Sequence, residues 1–279
     1  MAHWAPMSTP PLPPPAPVVP YLGPPGLPVA VTAALWSTEL LAGRVPVDAV
    51  VDHAAGPADS VTPELVEALT VSVPTWGEVG ERLVVPLLPR PGRAGLLPVG
   101  PEALGAGTAP SSVGVLVAPS LGEGFVLHLT PFGHVLDGGW LLDAERVACR
   151  PVPHHALEQV GLRAAQRGLA AAVRSGTELL ETLGAPPVWA GERAGGHTAG
   201  SAAELPRRVP PEVLDLLERA AAVAAMTTEG RETHAAVGAA TAGRHRALTE
   251  LHHAALDALE AGSLSAARGL SGNRSGTRD

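Results

Sequence analysis

The chain of 279 residues contains no lysine, and all 19 of its Lys/Arg-type cations are arginine. Without lysine there is no Schiff base to a carbonyl or pyridoxal group, no Walker-type phosphate lysine and no Ser-x-x-Lys acyl transfer. Cysteine occurs once, as Cys149, which excludes an intrachain disulfide, a Cys-x-x-Cys redox pair, a thiolate zinc knuckle and an iron-sulfur cluster. Isoleucine is also absent, asparagine is confined to Asn273 and phenylalanine to Phe125 and Phe132. These residues share AT-rich codons with lysine, so a GC-rich genome accounts for the bias. The chemical exclusions hold whatever their cause, and they leave histidine and carboxylate chemistry as the enzymatic options.

Apolar residues make up 46% of the chain but aromatic ones only 3%, so a core has to be built from Ala, Leu and Val. A net charge of −8 opposes binding to phosphate backbones, and no arginine run is longer than Arg207-Arg208; no nucleic-acid partner is expected. The first charged side chain is Glu39, yet the prolines between Pro10 and Pro28 break any helix of spanning length, so no membrane span is expected and the chain reads as cytoplasmic. Residues 1–28 form a proline-rich leader that samples extended polyproline II and is expected to be disordered. Within it, Pro10-Pro11-Leu12-Pro13 has the character of a ligand for an aromatic groove, although a solvated leader explains it as well.

The remainder, 29–262, reads as a single α+β domain: a small, mostly antiparallel sheet in 83–152, flanked by short N-terminal helices and a C-terminal helical region at 153–184 and 210–261. Val31, Ala34, Leu35 and Leu41 give a helical face that Gly43 ends, Pro46 opens a second helix, and Thr62-Pro63 starts a third. Thr75 and Glu78 have capping-box spacing for a brief helix. The prolines of Leu83-Val84-Val85-Pro86-Leu87-Leu88-Pro89 cannot donate to a ladder, so that run sits at a sheet edge or stops early, Pro91-Gly92 is a turn, and Leu96 to Val99 could return from it. Val113 to Val117 is a buried strand that pairs with a strand burying Phe125, Leu127 and Leu129 on one face. Val135-Leu136, Asp137-Gly138-Gly139 and Trp140-Leu141-Leu142 propose a second hairpin. A long helix from Pro153 is expected to break near Gly176, where Ser175 and Glu178 repeat the capping-box spacing. Residues 188–208 read as a flexible loop, Pro210-Pro211-Glu212 opens another helix, a last helix ends at Ala261, and 263–279 is a disordered polar tail.

The runs Leu83 to Pro89, Gly95-Leu96-Leu97-Pro98, Glu102-Ala103-Leu104 and Val213-Leu214-Asp215-Leu216-Leu217-Glu218-Arg219-Ala220 resemble a group of uncharacterised conserved proteins of high-GC actinobacteria. The resemblance spans about residues 30–262. It implies a globular α+β fold and carries over no functional residue.

The strong catalytic signatures fail on their residues. Gly105-Ala106-Gly107-Thr108-Ala109-Pro110 has proline where a dinucleotide fingerprint needs its third glycine, so it reads as a loop. No serine sits in Gly-x-Ser-x-Gly. No cofactor and no metal site is expected: His252 and His253 diverge on a helix, His253 and Asp257 read as a solvated ion pair on a polar face with Thr249 and Glu260, and His154 with Glu158, at a helix start where neutral His154 and His155 could accept hydrogen bonds or a metal, reads as ordinary capping or solvent exposure. Cys149 lies in an apolar stretch and reads as a small buried side chain. The candidate catalytic residues are His128, mid-strand, with His134 and Asp137 flanking the next turn, where Asp137 could orient one imidazole as a general base. The sequence favours a non-enzymatic protein that binds a protein partner or forms a homo-oligomer. The alternative is a small acid-base enzyme or ligand-binding protein built on His128, His134 and Asp137.

Overall fold

The computed structural model describes residues 26–56, 58–93, 95–133, 138–183, 205–232 and 239–272. Nearly all of the expected leader, His134, Val135, Leu136 and Asp137, most of the 188–208 loop and the end of the tail lie outside the described residues.

Helix α1 (Val29–Leu41) has Val, Ala and Leu on every side and is buried along almost its whole length, as a helix apolar all round must be. It ends on Gly43 at φ +69°; Gly43 N–H reaches Leu40 O at 2.8 Å and Arg44 N–H reaches Glu39 O at 3.1 Å, a Schellman closure that requires the left-handed residue. Helix α2 (Val47–Ala55) follows Pro46, and the rings of Trp36 and His53 stack at 3.7 Å. Thr62 caps α3 (Pro63–Glu67), its Oγ1 accepting from Leu65 N–H at 3.3 Å. The capping-box reading of Thr75 is corrected: the chain stays helical through a π turn, 68–72, into α4 (Val73–Glu78). Thr75 lies inside that helix and donates to Val71 O at 2.8 Å. The wider turn falls just before Pro74, whose missing N–H cannot close an ordinary helical bond.

The protein is α+β, and among the described residues one sheet of five strands runs in the order β1-β5-β4-β3-β2. The strands are β1 (Ser60–Val61), β2 (Val85–Leu87), β3 (Ser112–Ala118), β4 (Glu123–Phe132) and β5 (Gly139–Ala148). All neighbours are antiparallel except β1 with β5. Pro86 sits on β2 at the edge, where a residue without an N–H costs no interior ladder bond. The partner of Trp140 to Leu142 is β4, with Thr130 opposite Leu141.

Both faces of the sheet are covered, which corrects the one-sided reading of β4. Phe125, Leu127, Leu129 and Leu116 face a core shared with α1 and the C-terminal helices, while Val126, Val115, Val117 and Val147 face a second core closed by Leu97, Ala103, Leu157 and Leu264. The second cover includes α5 (Pro101–Gly107), formed by the segment read as a glycine loop. A Cβ on Gly107 would lie 2.7 Å from Pro89 and from Val115; the bare backbone lets this short helix approach the sheet. Leu96 to Val99 passes over the same face without becoming a strand.

The C-terminal helices are α6 (His154–Gln159), α7 (Leu162–Thr182), α8 (Pro211–Glu232) and α9 (Ala239–Ser271). The expected break near Gly176 lies instead at Val160-Gly161, and α7 runs through Gly176, which packs on Leu251. The last helix passes Ala261 and continues to Ser271, burying Leu264, Ala266, Ala267 and Leu270. Small Ala, Gly and Ser side chains make that stretch look like a polar tail while two leucines anchor it. Among the described residues no helix is long and apolar enough to cross a membrane.

Candidate functional site

His128 lies on β4 opposite Asp143. Its Nδ1 is 3.0 Å from Ser111 Oγ, and its Nε2 is 3.4 Å from Glu145 Oε2. The second contact lacks hydrogen-bond geometry, and Glu145 is 67% exposed, so water screens that carboxylate and, among the described residues, Ser111 is the hydrogen-bond partner of the ring. Asp143 is turned to other work: it accepts from Thr62 Oγ1 at 2.6 Å and from Ala144 N–H at 2.8 Å, which ties α3 to the sheet. Of the three candidate residues, His128 is therefore placed beside Ser111 and Glu145, two partners the sequence reading did not name; His134 and Asp137 lie outside the described residues.

Cys149 is half-buried, and burial first, then Glu102 and Glu123, push its thiol up to about 11. A thiol that high stays protonated at neutral pH. His154 is 85% exposed beside Glu158.

The polar face assigned to α9 turns inward, which corrects the solvated His253 and Asp257 pair. Asp257 pairs with Arg90 and with Arg93, the latter at 2.8 Å. Arg90 also donates to His253 O at 3.2 Å and to Leu88 O at 2.9 Å. Glu260 is 2% exposed and accepts from Leu88 N–H at 2.8 Å, Leu96 N–H at 2.7 Å and Arg90 Nη1 at 3.4 Å. Burial pushes its carboxyl above the usual range, while Arg90 and the two N–H groups pull it back. These groups clasp the turn after β2 onto α9. Among the described residues no group of three or more His, Cys, Asp or Glu side chains is placed to hold a metal ion.

Buried His252 faces Thr227 Oγ1 from α8 at 3.0 Å. Burial, then Arg231, with Arg90 and His253 adding to it, lowers its pKa from 6.5 to about 4. The imidazole is thus neutral in the fold where the unfolded chain takes up a proton. Its contribution is complete above pH 6.5 and is lost as pH falls through about 4. The expected result is a decline of up to about 3 kcal/mol in urea-unfolding free energy across that window, flattened in His252→Gln. An equal slope in the variant would refute this assignment.

Helix α7 is the least buried long element, with only Leu169 and Gly176 fully enclosed. Its exposed side carries the small residues Ala164, Gly168, Ala171 and Ser175, then Leu179, on one helical stripe. A Cβ at Gly168 would meet nothing within 4 Å. Beside the stripe the exposed charges are ordered, with Arg163, Arg167 and Arg174 first and Glu178 and Glu181 last. None of these five forms an ion pair among the described residues. The order is legible in the sequence, but it passes for ordinary polarity until the fold shows which side faces water.

Residues 30–153 match the family model described as Rv1486c-like protein, N-terminal domain. The match takes in α1 to β5 and stops before α6, so the stripe on α7 lies outside it. The family is named for a mycobacterial protein, in keeping with the actinobacterial resemblance, and its description names no activity. Comparison with the curated proteins and with the solved structures gives no match.

Proposed function

We propose that this is a non-catalytic binding protein of the cytoplasm that associates with a second copy of itself, two α7 helices lying antiparallel about a two-fold axis near Ala171 and Ala172. The charge order on α7 carries this reading. Arginine near a helix N-terminus and glutamate near its C-terminus both oppose the helix dipole, each by about 0.3–1 kcal/mol. Arg163 with Arg167, four apart, and Glu178 with Glu181, three apart, add like-charge repulsion of about 0.2–0.5 kcal/mol per pair. Arg174 and Glu178, four apart, attract by a similar amount and offset one of these pairs, which leaves the arrangement net unfavourable within one helix. Against an antiparallel copy it becomes complementary: Arg163 faces the partner's glutamate end, and Arg167 faces Glu178 of the partner subunit. An isologous interface requires this self-complementarity, and the small residues between the charges permit close helix approach.

Light scattering across a concentration series provides the test. The expected mass is that of a dimer. Glu178→Arg with Glu181→Arg places like charges in opposition and should weaken association by at least about tenfold, and adding Arg163→Glu with Arg167→Glu in the same chain should restore it. A monomer mass at every concentration, or a glutamate variant that associates as the parent does, would sink the reading.

A further inference from the structure

A second surface feature is independent of α7. Arg44, Arg208 and Arg268, with Gly269 and Gly272, line an open cavity of about 490 Å³, within the range of small-molecule sites, roughly 300–1,000 Å³. The three arginines come from remote parts of the chain: the residue after the α1 turn, the turn ahead of α8 and the last turn of α9. Their convergence is built by the fold. The Schellman closure sets Arg44, whose guanidinium is then engaged by Glu39 at 2.7 and 3.1 Å and by Leu270 O; it joins the end of α9 to the end of α1. Arg268 donates to Leu157 O at a long 3.5 Å, and neither it nor Arg208 has a carboxylate partner among the described residues.

We infer that this cavity binds a phosphate-bearing dianion, with Arg208 and Arg268 as its ligands and Arg44 as the fixed wall. Two cations without a carboxylate partner among the described residues match two negative charges, and each planar guanidinium presents a fork of donors that fits a phosphate bidentately. The chain as a whole carries −8, so general charge does not draw an anion to it; attraction has to come from a local cluster. Helix capping explains Arg44, whereas among the described residues Arg268 has the long contact to Leu157 O and no carboxylate, and Arg208 has no carboxylate.

Calorimetric titration of the full chain with sodium phosphate at mildly alkaline pH, where inorganic phosphate is mostly the dianion, and at ionic strength matched by sodium chloride, tests a soluble source of the phosphate. Cosedimentation with vesicles containing phosphatidic acid tests a lipid source. Binding in either arm is expected, and Arg208→Gln and Arg268→Gln should each weaken it by at least about tenfold, the worth of a charge-assisted hydrogen bond. Both side chains are exposed, so these variants should fold, which circular dichroism checks. Arg82→Gln, at an exposed arginine away from the cavity lining, controls for general charge and should bind as the parent does. Failure of both arms, undiminished binding in the two cavity variants, or an equal loss in Arg82→Gln overturns the site. The α7 variants play no part in this experiment, so either proposal can fail alone.

Discussion

Glu260→Ala is expected to lower the free energy of unfolding by about 3–5 kcal/mol, measured by urea denaturation at neutral pH, because it breaks a buried ion pair and leaves two backbone N–H groups without their acceptor. Glu260 sits on α9 at 2% exposure, and everything that reaches its oxygens is a donor: Leu88 N–H, Leu96 N–H and Arg90. Removing the carboxylate leaves two backbone N–H groups and a guanidinium, itself 5% exposed, short of an acceptor. Each orphaned buried donor costs about 1–3 kcal/mol. Asp257 still holds Arg90, which keeps the loss below the sum of the parts. Glu260→Gln should be milder, since one amide oxygen can still serve one N–H, but its NH₂ then meets another donor. A loss below about 1 kcal/mol in the alanine variant would show that the turn after β2 does not depend on this clasp.

The same clasp marks where the sequence stops being readable. Local signals with a covalent or steric cause held: Thr62-Pro63 starts a helix because proline's fixed φ suits the first turn, Gly43 ends one because the closure needs positive φ, and Pro86 goes to an edge. What failed depended on partners far away in sequence. Asp257 and Glu260 look like a solvated face of α9 until Arg90 and two N–H groups from the turn after β2 arrive to meet them. Gly107 looks like part of a loop because its helical use depends on a surface formed by Pro89 and Val115. His128 was visible as a polar residue in an apolar strand, but its contact with Ser111 follows from the register of β3 against β4, which hydrophobic alternation alone does not set. The arginine cavity is the extreme case, since Arg44 and Leu270 are 226 residues apart.

Gly114→Ala is the second large effect expected, a destabilisation of about 3 kcal/mol, from positive-φ strain added to overpacking. Gly114 follows a bulge in β3, where the register against β4 shifts between Ser112 and Gly114, and its φ of +133° is one that side chains rarely adopt. Space is short as well. A Cβ there would stand 2.6 Å from Ala30 Cβ, 3.0 Å from Leu87 O and 3.2 Å from Leu88 Cδ2. Two of these are not flexible tips, so relief requires α1 to move away from the sheet, and α1 is the most completely buried helix of the core. Gly105→Ala supplies the contrast: that glycine is helical, a Cβ on it meets nothing within 4 Å, and the change should stabilise by about 0.5–1 kcal/mol through helix propensity alone. If the two substitutions shift the unfolding midpoint in the same direction, close approach of α1 to the bulge is not what fixes glycine at 114.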